Sequence, residues 1–345
     1  MQYPAWVMGS EAKNSKSTPG EIALLRQIRQ RSPAKSAGGL RLGIGDDCAI
    51  LLPRRDEEIV VTTDLSLEGR HFRLDWHPPE AVGHRTLARG LSDLAAMGAR
   101  PIAAFLSLAA PMELTKTSRK RPSWVSRFYD GLLALARAHK TPLAGGDLAE
   151  FPQVIADIVL VGAVPQGRAL VRSTARPGDD IYVTGTLGGA AAGLRALEDL
   201  NGKKPSKRMA ETLRPHLYPQ PRIAQGEWLI ARRSATAAMD LSDGLSIDLA
   251  RLCEASGVNA ELDENTLPAA PGAAIDDALH GGEDYELLFT ARPSIKIPRR
   301  IAGVPVTRIG RIMRQRAGHE LVTLRAASGT STLPPRGWQH FSKQS

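Results

Sequence analysis

Residues 79–110, PEAVGHRTLARGLSDLAAMGARPIAAFLSLAA, hold one helix and one strand, with the break between them marked by glycine and proline. Ala88, Leu91, Leu94 and Ala95 recur at helical spacing from Pro79 to Met97, Gly98 and Pro101 stop the helix, and IAAFLSLAA reads as a buried strand. Downstream, SWVSRFYDGLLALARAHK repeats the helical pattern and VIADIVLVGAV the strand pattern. Such alternation predicts an α/β (α+β) layer architecture in which helices cover a sheet. Upstream, CAILL and EIVVTTD, separated by PRRDE, read as neighbouring strands joined by a turn. Before them STPGEIALLRQIRQR opens a helix with Thr18 as cap, Pro19 in the first turn and Glu21 closing a capping box; Ile22, Leu25 and Ile28 share its face.

The texture changes after Gly162. RSTARPGDDIYVTGTLGGAAAGLRAL gives a turn, a strand, a glycine-rich turn and a helix, which puts a domain boundary near residues 165–178. Helices over Ile223–Arg232 and Leu245–Ala255 and strands at AAMD and YELLFT follow. The chain thus divides into an extension with the first helix (1–40), a first domain (41–165) and a second α/β domain (166–345). No short-period repeat is present.

At 345 residues with 42% hydrophobic content, the chain can bury two sizeable cores. Its two cysteines, Cys48 and Cys253, sit among apolar residues and read as small core side chains, which excludes a disulfide framework and a cysteine metal site. No apolar run approaches the roughly 20 residues that span a bilayer, and the first twenty residues lack the apolar core of a signal peptide. The expectation is a cytoplasmic protein with no membrane partner. The net charge of +9 raises the question of nucleic acid, but the basic residues fall in separate short loops and aromatics are only 5%. That distribution argues against a nucleic-acid partner and fits a small polyanionic substrate equally well.

Against this basic background, carboxylates gather at element ends beside glycine, serine and threonine. They are Asp46 and Asp47 in GIGDD, Asp64 in TTD, Asp93 in LSDLAAMG, Asp147 in AGGD, Asp240 and Asp243 in MDLSDG, and Glu283 and Asp284 in GGEDYE. These are oxygen ligands suited to hard cations, and Mg2+ takes one or two carboxylates together with water and phosphate. Each acid also has a plainer reading. Asp93 could pair with Arg89 one turn earlier, Asp64 could end a strand, Asp147 could sit in a turn, and Asp243 could cap the next helix. In that helix Leu245, Leu249, Leu252 and Cys253 share the buried face, and Asp248 is read as solvent-facing. Glu283 follows two glycines that allow close approach of a ligand or merely turn into a strand, and His71 meets a phosphate or completes a loop. Two nucleotide signatures fail. There is no GxxxxGK[ST] motif, and VTGTLGGAAAG does not fit GxGxxG, so a helix-packing turn explains it better.

Taken in order, GIGDDCAIL, TTDLSLEGRHF, LSDLAAMGARP, AGGD, LVRSTARPGDDIYVTGTLGGAAAGL, MDLSDGLSIDLARL and GGEDYELLFT resemble the thiamine-monophosphate kinase family over residues 41–341. The wider superfamily includes aminoimidazole ribonucleotide synthetase, and EGRHF, SDLAAMGA and GGEDYEL together favour the thiamine branch. The resemblance implies a two-domain fold whose N-terminal mixed sheets pair in a homodimer as a barrel. It also implies transfer of the γ-phosphoryl group of ATP to thiamine monophosphate with several Mg2+ ions. By the same match, Asp47, Thr62, Thr63, Asp64, Asp93, Asp147, Asp240 and Asp243 correspond to metal-binding positions. Gly146, Asp147, Arg172 and Ser242 correspond to ATP contacts, and His71, Glu283 and Trp338 to substrate contacts. No side-chain nucleophile is implied. Successive residues of an extended segment point to opposite faces, so Asp46 and Asp47 should not share one job; the resemblance assigns Asp47 to metal, which leaves Asp46 to the glycine turn. The alternatives are another ATP-using enzyme of the superfamily with a different small substrate, and a basic nucleic-acid-binding protein.

Overall fold

The computed structural model describes residues 21–338, apart from positions 33, 34, 37, 119, 120, 204, 208, 316, 317 and 319. The expected cap at Thr18 lies outside the described residues. In chain order the first half contains α1 (Glu21–Arg31), β1 (Leu40–Leu42), β2 (Ile50–Leu51), β3 (Glu57–Leu67), α2 (Pro79–Ala96), β4 (Arg100–Ala110), α3 (Trp124–Ala138), β5 (Leu143–Glu150) and β6 (Ile155–Pro165). Four of these strands form a mixed sheet in the order β3-β6-β4-β5, antiparallel except for the parallel pair β4 and β5. The second half contains β7 (Asp180–Thr184), α4 (Gly189–Leu200), α5 (Met209–Leu217), α6 (Ile223–Arg232), β8 (Ala237–Asp240), α7 (Leu245–Ser256), β9 (Val258–Asp263), α8 (Ile275–His280) and β10 (Leu287–Ala291). It ends with β11 (Arg300–Ile301), β12 (Val304–Arg314), β13 (Val322–Ala326) and β14 (Gly329–Thr332). Its sheet runs β14-β13-β9-β12-β7-β10-β8, with β11 paired to β12.

The helix read from the opening stretch is the centre of the molecule. Fifteen of the 18 residues of α2 are buried, because it packs on the first sheet, on α3 and α6, and against β8 of the second sheet. Leu87, Leu91 and Leu94 supply its apolar side. Its polar side carries Arg85, Arg89, Ser92 and Asp93 at spacings of four, three and one, which keeps them on one face. The crossing with α3 is close because both helices present glycine there. A Cβ on Gly83 would lie 1.9 Å from the carbonyl oxygen of Phe128, and one on Gly131 would lie 1.8 Å from that of Glu80.

Several expectations need correction. The two strands expected as neighbours belong to different sheets: β2 pairs with β1, whereas β3 pairs with β6 along its whole length. Asp64 therefore lies inside β3 and not at its end. Among the described side chains of α1, Leu24 and Ile28 are buried and Leu25 is exposed, so Ile28 lies as expected and Leu25 does not; the side chain of Ile22 lies outside the described ones. Cys48 is exposed in a bent segment, because CAILL contributes only two residues to a strand; Cys253 is buried as expected. AGGD is not a turn but part of β5, an edge strand beside β4. Among the described residues, no helix is long and apolar enough to cross a membrane.

Candidate active site

A cleft of about 680 Å3 opens where α2 and β3 meet the loops of the second half. It gathers Thr63, Asp64, His71, Asp93, Asp240, Ser242, Asp243, Glu283 and Trp338 from the positions singled out in the sequence. Alternation along β3 sends Thr62 and Asp64 toward α2 and Thr63 the other way. Thr62 accordingly donates its hydroxyl to Asp93 (2.5 Å), and Asp64 pairs with Arg89 (2.7 Å), while Thr63 donates to Asp157 (2.9 Å). Arg89 thus serves Asp64, not the Asp93 one turn along.

From the other side, β8 ends in Asp240, whose carboxylate accepts the Ser92 hydroxyl at 2.7 Å. Burial, and then the neighbouring Asp93, push the Asp240 carboxyl up to about 8. Burial likewise raises Asp93 against the pull of the Thr62 hydrogen bond, and raises Asp64 against the pull of Arg89. Carboxyls whose negative charge is disfavoured in this way form a hard-oxygen donor set that a divalent cation would neutralise. Among the described residues, no group of three or more His, Cys, Asp or Glu side chains could hold a metal ion by itself. A divalent cation at this donor set would draw the rest of its shell from water and phosphate, which is the usual habit of Mg2+.

The turn after β8 is organised by a residue that the sequence reading misplaced. Asp248 is fully buried, not solvent-facing, and one of its oxygens accepts the backbone N–H groups of Ser242 (3.1 Å), Asp243 (3.0 Å) and Gly244 (3.1 Å). The start of α7 is thus already occupied by a carboxylate from its own first turn, and burial raises that carboxyl to about 6 in spite of those bonds. Arg251 bridges Asp248 (2.9 Å) and Asp243 (2.5 Å). Asp284 does the same for the glycine turn before α4, accepting from Gly188 (2.6 Å) and Ala190 (3.1 Å). That bond pair accounts physically for VTGTLGG as a packing turn.

Between these anchors, GGEDYE alternates. Asp284 and Glu286 reach into the second half, where Glu286 accepts Thr184 and Arg222, while Glu283 and Tyr285 face the cleft. Both cleft-facing residues have positive φ, +66° and +51°, an uncommon conformation for residues other than glycine. Glu283 pairs with Arg85 at 2.6 Å. Burial works against its charge, but Arg85 and His216 hold the carboxyl down at about 2. Trp338 is tied through its backbone N–H to the Asp243 carbonyl (3.1 Å), and Arg336, two residues earlier, accepts the Ser246 hydroxyl at its carbonyl (2.7 Å).

Asp47, Gly146, Asp147 and Arg172 do not line this cleft, and Thr62 reaches it only through Asp93. Asp46 and Asp47 are both exposed in the bend before β2, and Asp46 accepts the Asp47 N–H (3.0 Å), a turn-stabilising bond. Gly146 is constrained by β4: at φ +147°, a Cβ there would lie 1.8 Å from the Leu106 carbonyl oxygen. Arg172 is exposed in the connection between the sheets, near enough to act on the charge of Asp93. The sequence reading also missed Arg85, Trp76, His77 and His216, which line or support the far end of the cleft. The spacing of Arg85 and Arg89 to Asp93 on one helix face is the signal that could have found the first of them.

Two family models match in succession, the AIR synthase related protein N-terminal domain over residues 45–168 and the corresponding C-terminal domain over residues 176–298. The fold is therefore that of the AIR synthase related proteins, with two mixed α/β domains. The thiamine-monophosphate kinase of Escherichia coli (strain K12) is 38% identical over 335 residues, covering 94% of this chain and 98% of that one. The crystal structure of a thiamine-monophosphate kinase from Stenotrophomonas maltophilia K279a superposes with a TM-score of 0.75 at 38% identity, covering 88% of this chain and 96% of that one. AaThiL complexed with AMPPCP and TMP superposes with a TM-score of 0.71 at 29% identity, covering 96% and 100%. The chain belongs to the thiamine-monophosphate kinase family.

Proposed function

We propose that the protein is a thiamine-phosphate kinase that transfers the γ-phosphoryl group of ATP to thiamine monophosphate, giving thiamine diphosphate and ADP. The observation that carries this reading is one cleft lined by two chemically distinct sets of side chains. One set is Asp64, Asp93, Asp240 and Asp243, and the other is Phe72, Trp76, Trp338 and the ionised Glu283. The acidic set suits a nucleotide phosphate chain bound with hard cations, and the aromatic set suits a flat, positively charged heterocycle. A relative solved with AMPPCP and TMP supports the same pair of ligands.

Asp64, Asp93, Asp240 and Asp243, with Thr62 and Thr63, would hold Mg2+ on the nucleotide. Bound there, Mg2+ would neutralise phosphate charge and bring the transferred group into register. The acceptor phosphate is already ionised near pH 7, so no side chain need remove a proton. Its oxygen forms the new bond to the γ-phosphorus as the bond to the β-phosphate oxygen breaks, and ADP leaves. Positioning and charge neutralisation carry such a transfer, which suits a cleft rich in carboxylates.

In this reading Asp47, Gly146, Asp147, Arg172 and Ser242 serve the nucleotide end, along the boundary between the 41–165 and 166–345 domains and between protomers, while His71, Glu283 and Trp338 serve the substrate end. The subunit boundary is a homodimer formed by the first sheet. The side of β3 turned away from α2 exposes Ile59, Val61 and Leu65, an apolar stripe on an edge strand that a second copy would cover and pair. Unpaired cysteines are consistent with a cytoplasmic location. The test is turnover: purified protein with ATP, Mg2+ and thiamine monophosphate should yield thiamine diphosphate. Absence of turnover, with other small phosphate acceptors accepted, would instead favour a different member of the superfamily.

A further inference from the structure

Arg85 is buried at 4% exposure, yet its guanidinium touches three separate parts of the chain. From α2 it donates through Nη2 to Glu283 Oε1 (2.6 Å) and, more weakly, to the carbonyl of His71 (3.3 Å), while Nη1 donates to the carbonyl of His216 near the end of α5. His71 belongs to the loop after β3, and Glu283 to the loop before β10. One side chain therefore joins both walls of the substrate end of the cleft.

A second set of contacts holds the same carboxylate. His77 Nδ1 meets the backbone of Arg73, its N–H at 3.1 Å and its carbonyl at 3.2 Å, and His77 Nε2 shares a hydrogen bond with His216 Nε2 (3.0 Å). His216 Nδ1 in turn lies between Arg85 Nη1 (3.4 Å) and Glu283 Oε2 (3.5 Å). Both imidazoles are buried, which disfavours their charged form. Glu283 meanwhile sits at φ +66°, a backbone conformation that persists only where surrounding contacts determine it.

We propose that Arg85 is a positioning residue for the substrate end of the cleft, fixing Glu283 and the His71 loop relative to one another so that acceptor binding depends on it while nucleotide binding does not. The inference rests on the reading of the cleft as a thiamine-monophosphate kinase site. Its chemistry needs the fork of an arginine: three acceptors in different directions can be served by a planar guanidinium, but not together by the compact ammonium of lysine.

The test is steady-state kinetics with both substrates varied, together with calorimetric binding of thiamine monophosphate, on Arg85→Gln and Arg85→Lys. The expected result is a rise of about tenfold or more in the KM and Kd for thiamine monophosphate in Arg85→Gln, with the KM for ATP changed by less than about threefold. Arg85→Lys should recover part of the loss. An equal rise in both KM values, or a fall in kcat with both KM values unchanged, would overturn the proposal. Should Arg85→Gln fail to fold, Glu283→Gln must show the same split, because it removes the charge that Arg85 orients. Unchanged acceptor KM in that variant overturns the proposal equally. Wild-type protein that neither binds nor turns over thiamine monophosphate would sink the kinase reading itself, a failure distinct from these.

Discussion

Ser92 on α2 donates its hydroxyl to Asp240 at the end of β8 at 2.7 Å, and this bond brings the carboxylates of two domains to one point. Burial raises the pKa of both Asp93 and Asp240, and a neighbouring carboxylate adds to it, Asp64 at Asp93 and Asp93 at Asp240. The metal-free site is thus electrostatically unfavourable above the ordinary carboxylate range, a cost that a phosphate-bound cation would relieve.

The Asp240 carboxyl has a folded value of about 8, above its ordinary value, so its contribution to stability is present at low pH and is lost as pH rises toward 8. Asp240→Asn is expected to raise the melting temperature of the metal-free protein at pH 8 and to flatten its decline between about pH 4 and 8. The same variant should lose phosphoryl transfer by roughly a hundredfold or more. Thermal melts of the metal-free protein across pH check the first effect and steady-state assays with Mg2+ the second; an unchanged pH profile of the melts would contradict the assignment of the charge to Asp240.

Asp248 supports the turn without lining the cleft. Asp248→Ala leaves three backbone N–H groups without their carboxylate acceptor and is expected to destabilise the fold by about 2–4 kcal/mol. Asp248→Asn, which keeps an acceptor oxygen, should cost less than half of that. Denaturant unfolding of the pair reads the difference directly.

Asp47 presents the opposite case. It is exposed, so Asp47→Asn should change stability by no more than about 0.5 kcal/mol. If it serves the nucleotide end, kcat/KM for ATP should nevertheless fall by about tenfold or more. Parallel unfolding and kinetic measurements separate the two effects, and an equal loss of both would count against its metal role.

Val61 lies on the exposed stripe of β3 at 63% exposure. A glutamate there would put a charge into any interface formed by that face, so Val61→Glu is expected to shift the protein from dimer to monomer in sedimentation experiments without unfolding it. A wild-type protein that sediments as a monomer would contradict the proposed assembly.

How far the sequence could be read depended on whether a signal was local. The periodicity of α2, the apolar runs of β4 and β6, and the Gly98–Pro101 break are local, and each element lies where its pattern puts it. The partners of β2 and β3 are not local, since an apolar run does not specify which strand it meets. Acids beside glycine and serine pointed to the cleft, and nine of the residues named from sequence line it. What spacing alone could not distinguish was a carboxylate aimed at a ligand from one aimed at its own backbone. Asp243 and Asp248 lie one turn apart, and only the path of the chain through Ser242–Gly244 turns Asp248 inward. Arg85 stayed hidden because its partners, His71, His216 and Glu283, are distant in sequence.

The central claim is direct transfer between two ligands held in one cleft, and a single-turnover experiment with ATP labelled at the γ-phosphate tests it most directly. In the presence of Mg2+ and thiamine monophosphate, the label should pass to thiamine diphosphate in step with ADP formation, and none should be retained on the protein. Label that accumulates on the protein before product appears, or ATP consumed without labelled thiamine diphosphate, would contradict the account.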